Sequence, residues 1–370
     1  MSARRAAVAA AMLALFAAVL ALAAGCASPY AAPAATPSVS RPAVTSQVTA
    51  GRGAGSMFGV IFADPELTAA GGALYLRWDQ QPQGPGGAPP RVVLDRVDPV
   101  TGQATGQNMF SPGWVGPPVA AAGALWLTDS TTAGRVVLRL DPGTLMVTGE
   151  LRIPGEEAPD AGDLGQQLAF AGGSLWADGG AQLLRIAPAT VAVTAVVPLT
   201  AGTFSSRLGA SADGSTLVVS EMGTRSGAVQ RRDPETGAVL ASAAMGGPAS
   251  ASIGGVTGAS VWVAQPTGNF GFVERLSLAT MTPDHASDVG GTNAIGALVA
   301  DGALWVTDYI GGTARNYCAS AATGRVLAPL PVTATAQARL LAVTGGHLYY
   351  AVPAAGGSWI RAVPVPAACR

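Results

Sequence analysis

The stretch Gly302-Ala303-Leu304-Trp305-Val306 decides the fold of this 370-residue chain, because the same phrase returns along its length. In each copy a turn with glycine leads into a short apolar strand centred on one large residue. Seven copies follow one another at spacings of 42 to 51 residues. Such a period is typical of β-propeller repeats, which are about 40 to 50 residues long. The central residues of the copies are Tyr75, Trp126, Trp176, Val218, Trp262, Trp305 and Tyr349.

Other strands surround each copy of the phrase. A strand of small residues precedes the glycine turn, and a third strand ends in a turn such as Asp233-Pro234-Glu235-Thr236-Gly237. Asp and then Pro favour a tight turn, and a later glycine supplies a positive φ. A fourth strand follows the turn. Each repeat is therefore expected to form a four-stranded antiparallel sheet.

Seven such sheets bury their apolar faces when they pack around a common axis. The innermost strands crowd that axis, which suits the glycines Gly209, Gly254 and Gly296. The last repeat lacks a fourth strand, and we expect residues 57–62 to supply it, because an open ring would expose unpaired edges. The sequence predicts an all-β fold, a seven-bladed β-propeller of four-stranded antiparallel blades closed by an N-terminal strand.

Two phrases carry a resemblance to known propellers, namely Ala303-Leu304-Trp305-Val306-Thr307-Asp308 and Arg232-Asp233-Pro234-Glu235-Thr236-Gly237. They resemble the blades of YVTN and streptogramin-lyase-like (virginiamycin B lyase-like) propellers, and more loosely those of quinoprotein-like ones. The resemblance covers nearly all of residues 57–370 and implies an extracytoplasmic propeller without specifying a chemistry. Streptogramin lyases use a histidine base and a glutamate-bound magnesium ion. His285 and His347 lie in predicted turns and do not match that motif, so no catalytic residue is carried over.

Residues 1–25 resemble a lipoprotein signal peptide, with Arg4 and Arg5 before an apolar run that ends in small residues at Cys26. Such a signal implies a lipid on Cys26. An uncleaved anchor is the alternative, because residues 6–24 approach the roughly 20 apolar residues that cross a bilayer. Residues 26–56, rich in Ala, Pro, Ser and Thr, read as a tether to the propeller of residues 57–370. We expect a monomer in the cell envelope, anchored as a lipoprotein to the outer face of the cytoplasmic membrane.

The charge of the chain excludes some partners. Only 12% of its residues are charged, against about 25% in typical soluble domains, and its net charge is −1. This composition gives no electrostatic basis for binding nucleic acid. The sequence also lacks a Gly-x-Ser-x-Gly elbow, a His-Glu-x-x-His helix and a phosphate loop.

Two cysteines remain once Cys26 is assigned to lipid. Outside the cytoplasm such a pair favours a disulfide between Cys318 and Cys369, which would fasten the C-terminal residues to the sixth blade. Two unpaired thiols are the alternative.

Acidic or polar residues recur where the second strand of each repeat ends. If they share one face with the loops that join the blades, that face is acidic and suits a basic ligand or a divalent cation on the axis. No other cofactor is predicted. The alternative is that each carboxylate caps its own hairpin turn. The candidates are Asp79, Asp129, Asp178, Glu221, Gln265 and Asp308, joined by Glu156, Glu157, Asp160 and Asp163 in one connecting loop.

Three aromatic residues, Trp78, Trp114 and Tyr309, are candidates for a ligand surface, although aromatics in loops often pack under their own loop. The sequence favours a noncatalytic binding or scaffold propeller that presents an acidic loop face to a protein, peptide or cell-wall ligand. A divergent enzyme of lyase or quinoprotein type is the alternative, and convergent polar groups at the channel mouth would favour it.

Overall fold

The computed structural model describes residues 61–80, 91–99, 102–110, 114–131, 134–153, 167–223, 227–245, 251–267, 270–284, 294–310, 313–330, 339–354 and 357–370. These residues form β-strands and turns and one short 3-10 helix, η1 (Ala367–Cys369). The predicted signal peptide of residues 1–25 and tether of residues 26–56 lie outside the described residues and stay predictions.

The strands form seven antiparallel blades arranged in a ring, and the predicted fold is confirmed. Within each blade the strands run in chain order from the innermost to the outermost. Blade 1 contains β1 (Ile61–Ala70), β2 (Ala73–Gln80), β3 (Arg91–Val97) and β4 (Ala104–Phe110); blade 2 contains β5 (Trp114–Val115), β6 (Val119–Ala121), β7 (Ala124–Thr131), β8 (Gly134–Leu140) and β9 (Val147–Arg152). Blade 3 contains β10 (Leu168–Ala171), β11 (Ser174–Asp178), β12 (Gln182–Ala187) and β13 (Ala192–Pro198); blade 4 contains β14 (Thr203–Ala210), β15 (Leu217–Gly223), β16 (Gly227–Arg232) and β17 (Val239–Met245). Blade 5 contains β18 (Ser252–Val256), β19 (Ser260–Thr267) and β20 (Phe270–Ser277); blade 6 contains β21 (Ala294–Ala300), β22 (Ala303–Ile310), β23 (Thr313–Ser320) and β24 (Val326–Pro329); blade 7 contains β25 (Arg339–Thr344), β26 (His347–Ala354) and β27 (Gly357–Pro364).

Two blades depart from the regular pattern. In blade 2 the innermost strand is interrupted, and β5 and β6 both pair with β7. In blade 5 the described residues after β20 contribute one bridge, between Leu276 and Pro283, and residues 285–293 lie outside the described part of the chain. The other blades keep the four-strand plan that the repeat predicts.

The ring closes as the sequence predicts. The start of β1 pairs with β27, with Ile61 opposite Trp359 and Phe62 opposite Ser358, while the remainder of β1 pairs with β2. One strand therefore completes blade 7 and also forms the inner strand of blade 1. This pairing removes the open edge that blade 7 would otherwise expose.

The central large residues of the repeat fill the spaces between blades. All seven are buried. Several also donate a hydrogen bond to a turn of the next blade, as Trp176 does from Nε1 to the Pro234 carbonyl oxygen (3.2 Å) and Trp262 does to the Ala321 carbonyl oxygen (2.8 Å). An indole that is buried and also finds an acceptor for its N–H contributes apolar area without leaving a donor unpaired.

Small residues in the inner strands allow neighbouring blades to approach closely. A Cβ on Gly209 would lie 2.7 Å from a methyl carbon of Ile253, and one on Gly254 would lie 2.8 Å from the Ala297 carbonyl oxygen. These contacts join the inner strands of blades 4, 5 and 6 and confirm the predicted crowding near the axis.

Candidate functional site

The candidate site lies on the loop face, defined here as the end of the ring at which the second strand of each blade ends. All six predicted acidic or polar positions fall there in the backbone: Asp79 in β2, Asp129 in β7, Asp178 in β11, Glu221 in β15, Gln265 in β19 and Asp308 in β22. The side chains of Gln265, Asp308, Trp114 and Tyr309, and the whole of Glu156, Glu157, Asp160, Asp163 and His285, lie outside the described residues.

Asp178 joins three blades through one buried carboxylate. Its side chain is fully buried and accepts a hydrogen bond from Arg135 of blade 2 (Nη1 to Oδ2, 2.9 Å). Ser206 of blade 4 donates to the other oxygen from its hydroxyl (2.8 Å) and its amide (3.1 Å). The Gly180 amide also donates to Asp178, so the predicted capping of its own hairpin is part of its role. Burial raises the pKa of Asp178 although Arg135 opposes the shift.

Glu221 is held in the same manner within blade 4. Arg232 donates to it from Nη2 (2.8 Å), and both side chains are almost fully buried. Thr203 donates from its hydroxyl to the second carboxylate oxygen (3.3 Å), while Arg232 also donates to Gln230 and to the Gly237 carbonyl oxygen. Glu221 is thus neutralised inside the protein and fixes the connection between blades 3 and 4.

Blade 1 contributes a third pair. The buried Arg77 contacts Asp79 at 3.2 Å and Glu66 at 3.9 Å. The neighbouring Trp78 is half-buried and donates from Nε1 to Asp95 (2.8 Å), whose pKa is raised by burial. Trp78 is thus bonded to its own blade and packs against the apolar cluster that blades 1 and 7 share.

Asp129 differs from these three carboxylates. Its side chain is only 8% exposed, yet its Oδ1 atom has no hydrogen-bond partner among the described residues. Burial, and secondarily the negative charge of Glu150, raise its pKa from 3.8 to about 6. A buried carboxylate without a donor is costly, because charge is removed from water without compensation.

The position of Asp129 places it in the seam between blades 1 and 2. Leu125 and Leu127 precede it at two-residue steps and pack in one apolar cluster with Tyr75 of blade 1. Alternate residues of a strand point to the same side, so Asp129 faces blade 1. By the same alternation Arg77 and Asp79 follow Tyr75 on the side of blade 1 that faces blade 2. The seam therefore ends at the loop face in a group of charged side chains.

The partners of the acidic residues are what the sequence analysis missed. Arg135, Arg232 and Arg77 neutralise Asp178, Glu221 and Asp79. In a chain with so few charges, arginines within the blade strands were a signal of buried pairing. The partner choice itself depends on how strands and blades meet.

The remaining predicted residues have local roles. His347 is exposed, and its Nδ1 atom lies 3.0 Å from the Gly345 carbonyl oxygen in the turn before β26. Cys318 in β23 and Cys369 in η1 are both buried, with a sulfur–sulfur distance of 2.03 Å. This contact joins η1 to the sixth blade.

Within the ranges given above, no cluster of three or more His, Cys, Asp or Glu side chains has the arrangement of a metal site. The same described residues contain no helix with the length and apolar character needed to span a membrane.

Comparison with known proteins supports the fold alone. No family model matches the sequence, and no curated protein matches it closely enough to count as a relative. Among solved structures, a chain of the mitotic checkpoint complex matches with a TM-score of 0.58 at 12% identity, over 90% of this chain and 98% of that one. The Pan2 WD40 domain of Neurospora crassa gives 0.55 at 11% identity, over 78% and 86%. A puromycin-hydrolyzing peptidase of Mycobacterium tuberculosis gives 0.53 at 15% identity, over 83% of this chain and 52% of that one, so this chain spans about half of it.

Proposed function

We propose that this protein is a noncatalytic binding propeller of the cell envelope that presents its loop face to a basic group of a peptide or cell-wall ligand. The connecting loops of a rigid scaffold commonly carry binding residues. The buried pairs Arg135–Asp178 and Arg232–Glu221 support such a scaffold. Asp178 ties blades 2, 3 and 4 together through Arg135 and Ser206, and Arg232–Glu221 joins two strands of blade 4. We assign these pairs to rigidity and not to ligand contact.

The single observation that carries the proposal is Asp129. Its carboxylate is nine-tenths buried in the seam between blades 1 and 2, and one of its oxygens has no donor in the part of the chain that the structure describes. An ammonium or amide N–H that enters the seam would satisfy that oxygen and remove part of the desolvation penalty. The ligand class that fits this seam is a short chain with a terminal cationic group.

A matched pair of probes tests this proposal. A lysine-containing tetrapeptide and the same peptide with its lysine acetylated differ in charge at one position. We expect the lysine form to bind the wild-type protein at least tenfold more tightly, since a hydrogen bond to a charged group is worth about 1.5–3 kcal/mol. Asp129→Asn should remove the difference. Asp141→Asn, which changes an exposed carboxylate on the opposite face, should keep it. Equal dissociation constants for the two peptides with the wild-type protein would reject the proposal.

A divergent enzyme of the lyase or quinoprotein type is a second candidate, and the raised pKa of Asp129 favours it. A general base is most effective when its pKa lies near the working pH, and a carboxylate with a pKa of about 6 approaches that condition. Mass spectrometry of the bound peptide or cell-wall fragment distinguishes the two candidates. A product that forms with the wild-type protein and not with Asp129→Asn would establish the enzyme, whereas unchanged ligand supports the binding module.

The proposal places the propeller outside the cytoplasm through a lipid on Cys26. A tether of about 30 residues has a root-mean-square length of about 30 Å, which lets the propeller reach ligands near the membrane surface. Labelling with a palmitate analogue followed by fractionation tests the anchor. We expect label in the membrane fraction for the wild-type chain and neither label nor lipid anchoring for Cys26→Ala. An uncleaved anchor would instead leave the wild-type chain itself unlabelled but bound to the membrane.

The proposed oxidising location also requires the disulfide between Cys318 and Cys369. The two cysteines enclose 51 residues of chain, and closing a loop of that length stabilises a fold by about 4 kcal/mol. Non-reducing peptide mapping should recover the two cysteines in one linked fragment. Recovery of alkylated, separate cysteines from the envelope fraction would contradict the pairing.

A further inference from the structure

A pocket of about 740 Å³ opens on the turn face, which is the end of the ring opposite the loop face. Two turns of blade 6 form its walls: the turn at Asp301 and Gly302, which joins β21 to β22, and the turn from Ser320 to Arg325, which joins β23 to β24. The third wall is the segment Cys369–Arg370 at the end of η1. This volume lies within the range of small-molecule sites, about 300–1,000 Å³.

The turn that supplies most of the rim is well ordered by its own hydrogen bonds. The Gly324 amide donates to the Ser320 carbonyl oxygen (2.7 Å), and the Ser320 amide donates to the Arg325 carbonyl oxygen (2.9 Å). The Thr323 amide donates to the Ser320 hydroxyl oxygen (3.2 Å), and the Arg325 amide donates to the Thr323 hydroxyl oxygen (3.3 Å). Both hydroxyl oxygens act as acceptors in these bonds, so their own O–H groups can still donate to a ligand.

Two guanidinium groups stand at the rim of the pocket. Arg325 and Arg370 are both exposed, and within the described part of the chain neither guanidinium forms an ion pair with a carboxylate. In contrast, Arg135 and Arg232 are buried in such pairs. Among the lining side chains Asp301 is the acidic one. Guanidinium groups bind carboxylates and phosphates with charge-assisted hydrogen bonds.

The deeper wall of the pocket is apolar. Ala303 and Cys369 are buried, and Leu327 is half-buried. Leu327 packs against the apolar cluster of blades 6 and 7 that contains both cysteines of the disulfide. A ligand that combines an anionic group with a short hydrocarbon body would satisfy the arginines at the rim and cover the apolar wall.

We propose that this pocket is a binding site for a small carboxylic acid with a short apolar body, whose carboxylate is bound by Arg325 and Arg370. The site is separate from Asp129 and does not depend on the function proposed for the loop face. The Ser320 and Thr323 hydroxyls add two donors beside the guanidinium groups. The disulfide holds one wall of the site, since Cys369 lines it and Cys318 lies in β23.

Three probes of equal chain length and different head groups test the site on the full-length protein. Isothermal titration calorimetry is performed with hexanoate, hexylamine and hexanol. We expect hexanoate to bind with a millimolar or lower dissociation constant and at least tenfold more tightly than the other two probes. Equal affinity for all three probes, or no measurable binding of hexanoate, would overturn the proposal.

Substitutions locate the binding to this pocket. Arg325→Gln and Arg370→Gln are each expected to weaken hexanoate binding about tenfold, because each removes charge-assisted hydrogen bonds. Arg152→Gln, which changes an exposed arginine of blade 2, is the matched control and should leave the affinity unchanged. Arg325→Lys keeps the charge and should retain more of the affinity than Arg325→Gln. Hexanoate binding that neither glutamine variant weakens would place the site elsewhere and reject the assignment.

Discussion

Replacing Asp129 with asparagine is expected to stabilise the propeller at neutral and alkaline pH. The pKa of Asp129 rises from 3.8 to about 6 in the folded protein. Each unit of pKa shift corresponds to 1.36 kcal/mol, so the buried charge costs about 3 kcal/mol once it is fully ionised. The asparagine amide leaves a buried donor without a partner, which costs about 1 kcal/mol. The net gain for Asp129→Asn is therefore about 2 kcal/mol at pH 8.

The pH dependence of that gain follows from proton linkage. Because the pKa is higher in the folded state, the folded protein binds more protons than the unfolded chain between about pH 4 and pH 6. Rising pH across this window lowers the free energy of unfolding of the wild-type protein. Below about pH 4 both states are protonated and the penalty is absent. The advantage of the variant should thus appear above pH 4 and become constant above pH 7.

Urea unfolding at intervals from pH 4 to pH 8 measures this effect in both proteins. Asp141→Asn is the control with the opposite sign, because hydrogen bonds from Thr144 and Gly143 lower the pKa of the exposed Asp141. Its removal should reduce stability by a nearly constant amount from pH 4 to pH 8, because Asp141 is ionised in both states across that range, and the effect should fade only below about pH 4. If Asp129→Asn destabilised the protein at pH 8 more than at pH 4, the Asp129 carboxylate would have a stabilising partner in the folded state, and the reasoning would fail.

Two further substitutions test the packing and the buried pairs. Gly237→Ala should lower the free energy of unfolding by about 2–4 kcal/mol, because Gly237 has a φ of +75° and a new Cβ would lie 2.9 Å from the Trp176 ring. Gly123→Ala, where φ is +72° and the surrounding space is open, should lower it by only about 1–2 kcal/mol. Thermal or urea unfolding measures both variants. Arg135→Met should cost about 3–5 kcal/mol by leaving Asp178 charged and unpaired, and the added change Asp178→Asn should recover at least 1 kcal/mol of that loss in a double-mutant cycle. Equal losses of unfolding free energy for Gly237→Ala and Gly123→Ala would contradict the packing assignment. Strictly additive effects of Arg135→Met and Asp178→Asn would contradict the assignment of the buried pair.

Most of the fold could be predicted from the sequence, because each blade repeats the same pattern of turn residues and apolar strand residues. In five blades the turn between inner and second strands has two positive φ values, as at Gly345 and Gly346, and this geometry joins two strands in a tight hairpin. The glycines in those turns allowed the turns to be predicted from the sequence. The turn between third and fourth strands also requires one positive φ, which Gly237 supplies in blade 4. In blades 2 and 5 the same position is Leu145 and Met281, with φ values of 60° and 55°.

These non-glycine residues explain why some turns were not visible in the sequence. Leu145 and Met281 are both buried in the apolar clusters between blades, so burial of their side chains offsets the strain of the left-handed backbone. A local pattern of turn residues cannot reveal a turn that is stabilised by packing against another blade. The repeat spacing identified the blades, while the individual turns depend on the assembled ring.

The candidate site was predictable only in part, for a related reason. The strand-end position of each acidic residue follows from the repeat, and the structure places all six positions at one face. Their partners do not follow from it. Arg135 lies 43 residues before Asp178, in a different blade, and nothing local indicates that their side chains meet. The distinction between the neutralised Asp178 and Asp129, whose Oδ1 atom has no partner among the described residues, therefore required the three-dimensional arrangement.

One position of the repeat connects the proposed disulfide to the pocket on the turn face. In blades 1 to 5 the residue opposite the central large residue is an arginine of the third strand: Arg96, Arg139, Arg185, Arg231 and Arg275. Two of these guanidinium groups stand about 6 Å from an indole centroid, those of Arg139 over Trp126 and Arg275 over Trp262.

Blade 6 replaces this arginine with Cys318, opposite Trp305. The arginine side chain is long and covers apolar surface between blades, whereas the cysteine side chain is too short to do so. Cys369 and η1 supply the missing cover, since both cysteines pack in the cluster that contains Trp305. Because η1 is a separate segment of chain and not a side chain of the blade, it forms a wall of its own. The pocket opens between η1 and the turns of blade 6. Restoring the pattern with Cys318→Arg and Cys369→Ser should therefore separate η1 from the blade and reduce hexanoate binding, while leaving the loop-face response to Asp129→Asn unchanged.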